Sequence, residues 1–178
     1  SGEYPPGSTF KIITGAAALE LGKVTPEELI FDSGQHWLIP MGNAGGEALG
    51  WINFQQALSM SDNVYFYEMG NRLGINNLVD FARKFGMGRK TGIELEGEAS
   101  GLLPTPENKR KIFTGEDWTL GDTFNASIGQ GIDLATPLQM AVMMSCIAGG
   151  GIYHQPYLVD KVLNNCLLYT SPSPRDCS

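Results

Sequence analysis

The stretch that most constrains this chain runs from Tyr4 to Gly22. Pro5, Pro6 and Gly7 break any regular structure ahead of it. From Ser8 onward the pattern turns helical, and Phe10, Ile12, Ile13, Ala16, Ala17, Leu19 and Leu21 leave almost no polar face. A helix that is apolar nearly all round must be buried. Gly22 is placed to end it in a left-handed cap, with Lys23 beside its negative end. Yet this buried rod opens on a hydroxyl, Ser8, and carries an ammonium, Lys11, three residues later. Residues i and i+3 share a helix face. A serine hydroxyl is a poor nucleophile until a base takes its proton. A lysine enclosed by apolar packing loses the solvation that keeps it charged, and can become that base. The same spacing also fits an N-capping serine and a snorkelling lysine, so the pair needs a second motif beside it.

With 178 residues, 42% of them hydrophobic, the chain can bury one substantial core. Its net charge of −7 argues against nucleic acid or an anionic membrane surface as partner. No apolar run reaches about 18 residues, so no transmembrane helix is expected. The chain starts Ser1-Gly2-Glu3 without an initiator Met, and is expected to be a fragment with any targeting segment upstream. Cys146, Cys166 and Cys177 form no disulfide framework or metal-ligand spacing. His36 and His154 belong to no ligand motif and are expected to be structural; neither metal nor cofactor is expected.

Thr25-Pro26-Glu27-Glu28 reads as a capping box opening a short helical turn. Residues 31–50 read as a glycine-rich loop with one or two short strands around Gln35–Ile39. Helical pattern returns at Asn53 and breaks at Ser59-Met60-Ser61-Asp62-Asn63. It resumes over Val64–Leu73, stops at Gly74, and runs again to Gly86. Ser61-Asp62-Asn63 is either a helix-joining turn with a capping residue, or a hydroxyl and an amide aimed into a cleft. Residues 87–131 show little helical pattern: Ile93–Glu96 alternates like a strand, and Gly97–Asp117 reads as a surface excursion. Asn125–Gly131 is a glycine-bracketed turn, and Thr136-Pro137-Leu138-Gln139 opens a helix to about Ala148. Tyr157–Val162 looks like the start of a strand. After residue 163 periodicity is lost, so 1–163 is expected to be the domain and 164–178 a foreign tail. Omitting the tail removes Arg175 and Asp176 together and leaves the net charge unchanged.

Ser8-x-x-Lys11 followed by Ser61-Asp62-Asn63 is the motif order of serine acyltransferases that react with penicillin. With Tyr4–Lys11, the Ser127-Ile128-Gly129-Gln130-Gly131 turn and Thr136–Ala141, the chain resembles the transpeptidase domain of class B penicillin-binding proteins, in their elongation-type branch. The resemblance covers roughly residues 1–162. It implies an α+β, β-lactamase/transpeptidase-like domain of which this is a mainly α fragment. That fragment lacks most of the family's five-stranded antiparallel sheet and leaves apolar surface uncovered, which implies marginal stability. It implies a peptidoglycan D,D-transpeptidase in which Ser8 attacks the D-Ala-D-Ala carbonyl of a stem peptide. Lys11 would take the Ser8 proton, Ser61 would relay a proton to the leaving amine, and Asn63 would bind the acyl-side amide. Asp62 would point away, while Gly129 and Gln130 would line the substrate site. β-Lactams would acylate the same serine. The parent would be anchored on the outer face of a bacterial membrane and partnered with a glycosyltransferase. A serine β-lactamase, a D,D-carboxypeptidase and a non-catalytic penicillin sensor share the first two motifs. Lys90-Thr91-Gly92 has the letters of the family's third motif, K-[ST]-G, but precedes the Ser127–Gly131 turn that the true motif follows. It is expected to be a structural connection, with the true motif beyond residue 162.

Overall fold

Gly7–Phe10 form a 3-10 turn that runs directly into α1, Lys11–Glu20. Leu21 closes α1 and Gly22 follows in the left-handed region at φ 62°, as its position at the end of the apolar run predicts. The computed structural model describes the backbone of residues 2–163 and 168–170, and the side chains of residues 2–160. Strands β1 (Ile30–Asp32) and β2 (Gly50–Ile52) pair antiparallel. Four further helices follow before the last: α2 (Phe54–Ser59), α3 (Asn63–Lys84), α4 (Pro106–Ile112) and α5 (Leu120–Ser127). Helix α6 spans Pro137–Ala148, and β3 (Lys161–Leu163) pairs antiparallel with β4 (Leu168–Thr170). The described fold is therefore mainly α with two short strand pairs.

Helix α3 is the central element, packed against both α1 and α5. Its buried Tyr65, Phe66, Met69, Leu73 and Leu78 meet Phe10, Ile13 and Ala17 of the α1 segment and Phe124 and Ala126 of α5. Gly74 interrupts α3 at φ 72° and ψ 157°, the break expected between its two apolar runs. Gly70 is a close-approach glycine: a Cβ there would stand 2.7 Å from Ser127 Cβ. The caps follow the letters of the sequence. Asn53 with Gln56, and Thr136 with Gln139, form reciprocal capping boxes, and Pro137 opens α6.

Several expectations are corrected. Thr25–Glu28 forms only a turn, closed by Glu28 N–H to Thr25 O at 3.2 Å, because the chain leaves at once for β1. The strands lie at the two ends of the 31–50 segment; Gln35 makes only an isolated bridge to Gly42. Ile93–Glu96 is not a strand: Leu95 N–H turns back to Ile93 O at 2.8 Å, and the Glu94 carboxylate accepts from Leu158 N–H. Residues 87–131 hold two helices. Pro106 opens α4 at its first turn behind the Thr105 cap, and Thr119 with Asp122 forms a capping box for α5. The expected foreign tail, 164–178, is not among these corrections: it lies outside the described residues except Leu168–Thr170, which pairs with β3.

Candidate active site

The site is built where α1 and α3 begin. Gly7 N–H donates to Gly129 O at 2.8 Å, while Tyr4 and Ala135 exchange two backbone bonds of 2.9 Å. The segment from Gly129 to Ala135 thus cradles the turn that presents Ser8, which is exposed. Gly129 holds φ 70°, and a Cβ there would stand 2.3 Å from Gly7 O, so no other residue fits. Its N–H donates to Ala126 O at 3.0 Å, so both its backbone polar groups are used within the fold. Gln130 beside it is exposed. Buried Thr14 of α1 donates to Ser127 O at 2.7 Å, a second tie between this segment and the helix.

Lys11 follows one turn after Ser8 and is only 1% exposed. Its ammonium donates to Ser61 O at 2.6 Å, Ser61 Oγ at 3.1 Å and Asn63 Oδ1 at 2.6 Å, which accounts for all three of its N–H groups. The Phe66 ring lies 5.7 Å from Nζ. Burial lowers the Lys11 pKa from 10.5 to about 8, against the opposing pull of the Asp62 charge. The loop supplying these acceptors is strained: Ser61 is the one non-glycine with positive φ, 54°, among the described residues. That conformation turns its carbonyl onto the lysine.

Asp62 points away from Lys11, as expected, but into the interior rather than to solvent. It caps α3 by accepting from Tyr65 N–H, and is 2% exposed. Burial and the neighbouring Asp32 carboxyl raise its pKa to about 6, although the Tyr65 and Asn43 bonds pull the other way. Ser61-Asp62-Asn63 is therefore both a capped turn and a hydroxyl and amide directed at the lysine.

Lys90-Thr91-Gly92 lies outside any strand. The Glu98 carboxylate accepts from Thr91 Oγ1 at 2.5 Å, Thr91 N–H at 2.7 Å and Gly92 N–H at 3.2 Å, which ties the stretch into its own loop. His36 is buried and hydrogen-bonded to Glu68 Oε2 at 2.9 Å. Leu38 N–H donates to its Nδ1, which leaves Nε2 carrying the proton toward Glu68.

Sequence reasoning passed over Asn43, which contacts both Asp62 and Asn63. It also passed over Asp133, which is 2% exposed with Oδ2 unpartnered among the described residues. Only proximity in the fold distinguishes Asn43 from other loop asparagines.

The penicillin-binding protein transpeptidase domain model matches residues 1–176. The chain belongs to that family. It is 34% identical to the peptidoglycan D,D-transpeptidase MrdA of Haemophilus influenzae, over 90% of this chain and 25% of that protein. Among solved structures it is similar to PBP2 of Pseudomonas aeruginosa, with a TM-score of 0.86 and 35% identity over 97% of this chain and 39% of that one. It is also similar to Helicobacter pylori PBP2 in a complex with MreC, with a TM-score of 0.80 and 32% identity over 98% of this chain and 33% of that one. The chain spans about a quarter of the curated relative's length. Among the described residues, no helix is long and apolar enough to cross a membrane.

Proposed function

We propose that the protein containing this chain is a peptidoglycan D,D-transpeptidase that works through a Ser8 acyl-enzyme. The observation that carries the reading is the buried Lys11 ammonium, gripped by Ser61 and Asn63 one helical turn from Ser8. Once neutral, Lys11 has a lone pair to take the Ser8 proton as the hydroxyl attacks a D-Ala-D-Ala carbonyl. Ser61 Oγ, within reach of the same nitrogen, passes a proton to the leaving D-Ala amine. Asn63 offers its amide to the acyl-side peptide, and exposed Gln130 lies at the rim for the same substrate. An amine of a second stem peptide then displaces Ser8 and forms the crosslink; a β-lactam stops at the acyl-enzyme.

The exposed apolar residues Met144, Ile147, Ile152, Tyr157 and Leu158 support a missing cover, which in this reading is the family's five-stranded sheet. The parent is membrane-anchored and acts on the outer face beside a glycan-polymerising partner. The Helicobacter relative's complex with MreC supports assembly with further proteins. The test is labelling of the full-length protein with fluorescent penicillin. The label is expected on Ser8 and absent from Ser8→Ala; labelling that survives Ser8→Ala removes the nucleophile. Release of the terminal D-Ala together with appearance of crosslinked product on lipid-linked substrate separates a transpeptidase from a sensor.

A further inference from the structure

The loop between β1 and β2 is organised by one buried carboxylate. Asp32, 1% exposed, accepts from Gly34 N–H at 2.7 Å through Oδ1 and from Leu49 N–H at 2.8 Å through Oδ2. The loop closes further where Asn43 N–H donates to Gly34 O at 3.2 Å, and a Cβ on Gly42 would collide with that carbonyl at 2.2 Å. The result is to deliver one amide, Asn43, to the start of α3. Its Nδ2 stands 2.9 Å from each of Asp32 Oδ2, Asp62 Oδ2 and Glu47 O. Its Oδ1 accepts from Asn63 N–H at 2.7 Å and Val64 N–H at 3.3 Å. The first N–H groups of a helix have no intrahelical partner, so these bonds set where the first turn of α3 points. That turn carries Asn63 Oδ1, which holds Lys11 Nζ at 2.6 Å. Gly42 O also receives Asn63 Nδ2 at 3.4 Å.

We propose that Asn43 is a positioning residue for acyl transfer: it links the Asp32 and Asp62 carboxyls and clamps the Ser61–Asn63 turn so that its oxygens meet Lys11. The inference rests on the Ser8 reading above. Nothing in the motif letters selects this residue, because it lies in a loop of different length and composition from the helices it serves. Its effect on chemistry is large for its distance, since misplacing a reacting group by about 1 Å can slow a reaction roughly 100-fold.

The test uses the full-length protein and fluorescent penicillin, with two readouts from one time course. The labelling endpoint counts folded, competent molecules; the rate constant reports the geometry of the molecules that label. Asn43→Ala, and the isosteric Asn43→Asp that brings a third carboxylate to Asp32 and Asp62, are expected to lower the rate constant by about tenfold or more. The endpoint per folded molecule should stay the same. Asn108→Ala, which removes a comparable amide from α4, is expected to keep the wild-type rate. Adding Asn43→Ala to Asn63→Ala should slow the reaction little further, because both changes act through one turn. A wild-type rate constant in the Asn43 variants, or effects of Asn43→Ala and Asn63→Ala that multiply, would overturn the proposal. Failure of the wild type itself to label at Ser8 would instead remove the reading beneath it.

Discussion

In the proposed mechanism the chemistry turns on Lys11, whose buried environment makes it pH-dependent. Burial favours the neutral amine, and brings its pKa to about 8. If the neutral form is the base as proposed, acylation of the full-length protein should quicken as pH rises from about 6, reach half its maximum near pH 8 and level off above that. Stopped-flow labelling across that range checks this, and a profile flat from pH 6 to 9 would contradict it. Lys11→Arg should abolish labelling, since a guanidinium stays charged and cannot act as base. Asp133 works in the opposite direction. Burial raises its carboxyl from 3.8 to about 8, so the folded state binds a proton that the unfolded state releases. Its stabilising effect is full below about pH 4 and is lost as pH rises toward 8. Asp133→Asn should therefore raise the melting temperature more at pH 8 than at pH 5.

At the scale of elements, the α3–α5 contact depends on the absence of a side chain. Gly70 sits in regular helix, where alanine is intrinsically favoured by about 1 kcal/mol. Here an added Cβ would lie 2.7 Å from Ser127 Cβ and 3.0 Å from Ser127 Oγ. Overpacking of that kind costs about 1–3 kcal/mol, so Gly70→Ala should lower the melting temperature despite the propensity gain. Ser127→Gly in the same chain should recover part of the loss. The contact matters beyond stability. Ser127 O anchors Thr14 of α1, and the turn that follows supports Gly7 beneath Ser8.

Across the whole molecule, one helical layer is well packed and another face is not. The centre of α3 is fully enclosed, whereas α6 shows Met144 at 46% and Ile147 at 41% exposure, and Tyr157 further along the chain is 63% exposed. A polypeptide of residues 1–163 is therefore expected to bind a hydrophobic dye and to melt well below the same segment within the full-length protein. Scanning calorimetry and dye fluorescence on both check this, and a high, cooperative melt of the short polypeptide without dye binding would count against it. Removing the apolar exposure at α6 alone, by Met144→Lys with Ile147→Lys, should reduce dye binding while leaving the α1–α3 core intact.

Much of this architecture is written in local chemistry. Proline and glycine punctuation, capping pairs and apolar periodicity determine α1 with its Gly22 end, α2 behind Asn53, the break in α3 at Gly74, and α6 behind Thr136. The letters at Ser8, Lys11, Ser61 and Asn63 also suggest the proposed chemistry, and the fold brings Lys11, Ser61 and Asn63 together. Short strands are not legible locally, because a three-residue strand is defined by its partner, and β1 meets β2 only after the whole intervening loop has closed. Helices α4 and α5 are hidden in the sequence because Pro106, the charges of α4 and the polar residues of α5 resemble loop until a core is present to receive Phe124. Tertiary structure alone brought Ser61 into its strained conformation, set its carbonyl on Lys11, and made Asn43 the link between two buried carboxyls. Those are encounters between groups far apart along the chain, and their energy exists only once the intervening elements have folded and excluded water.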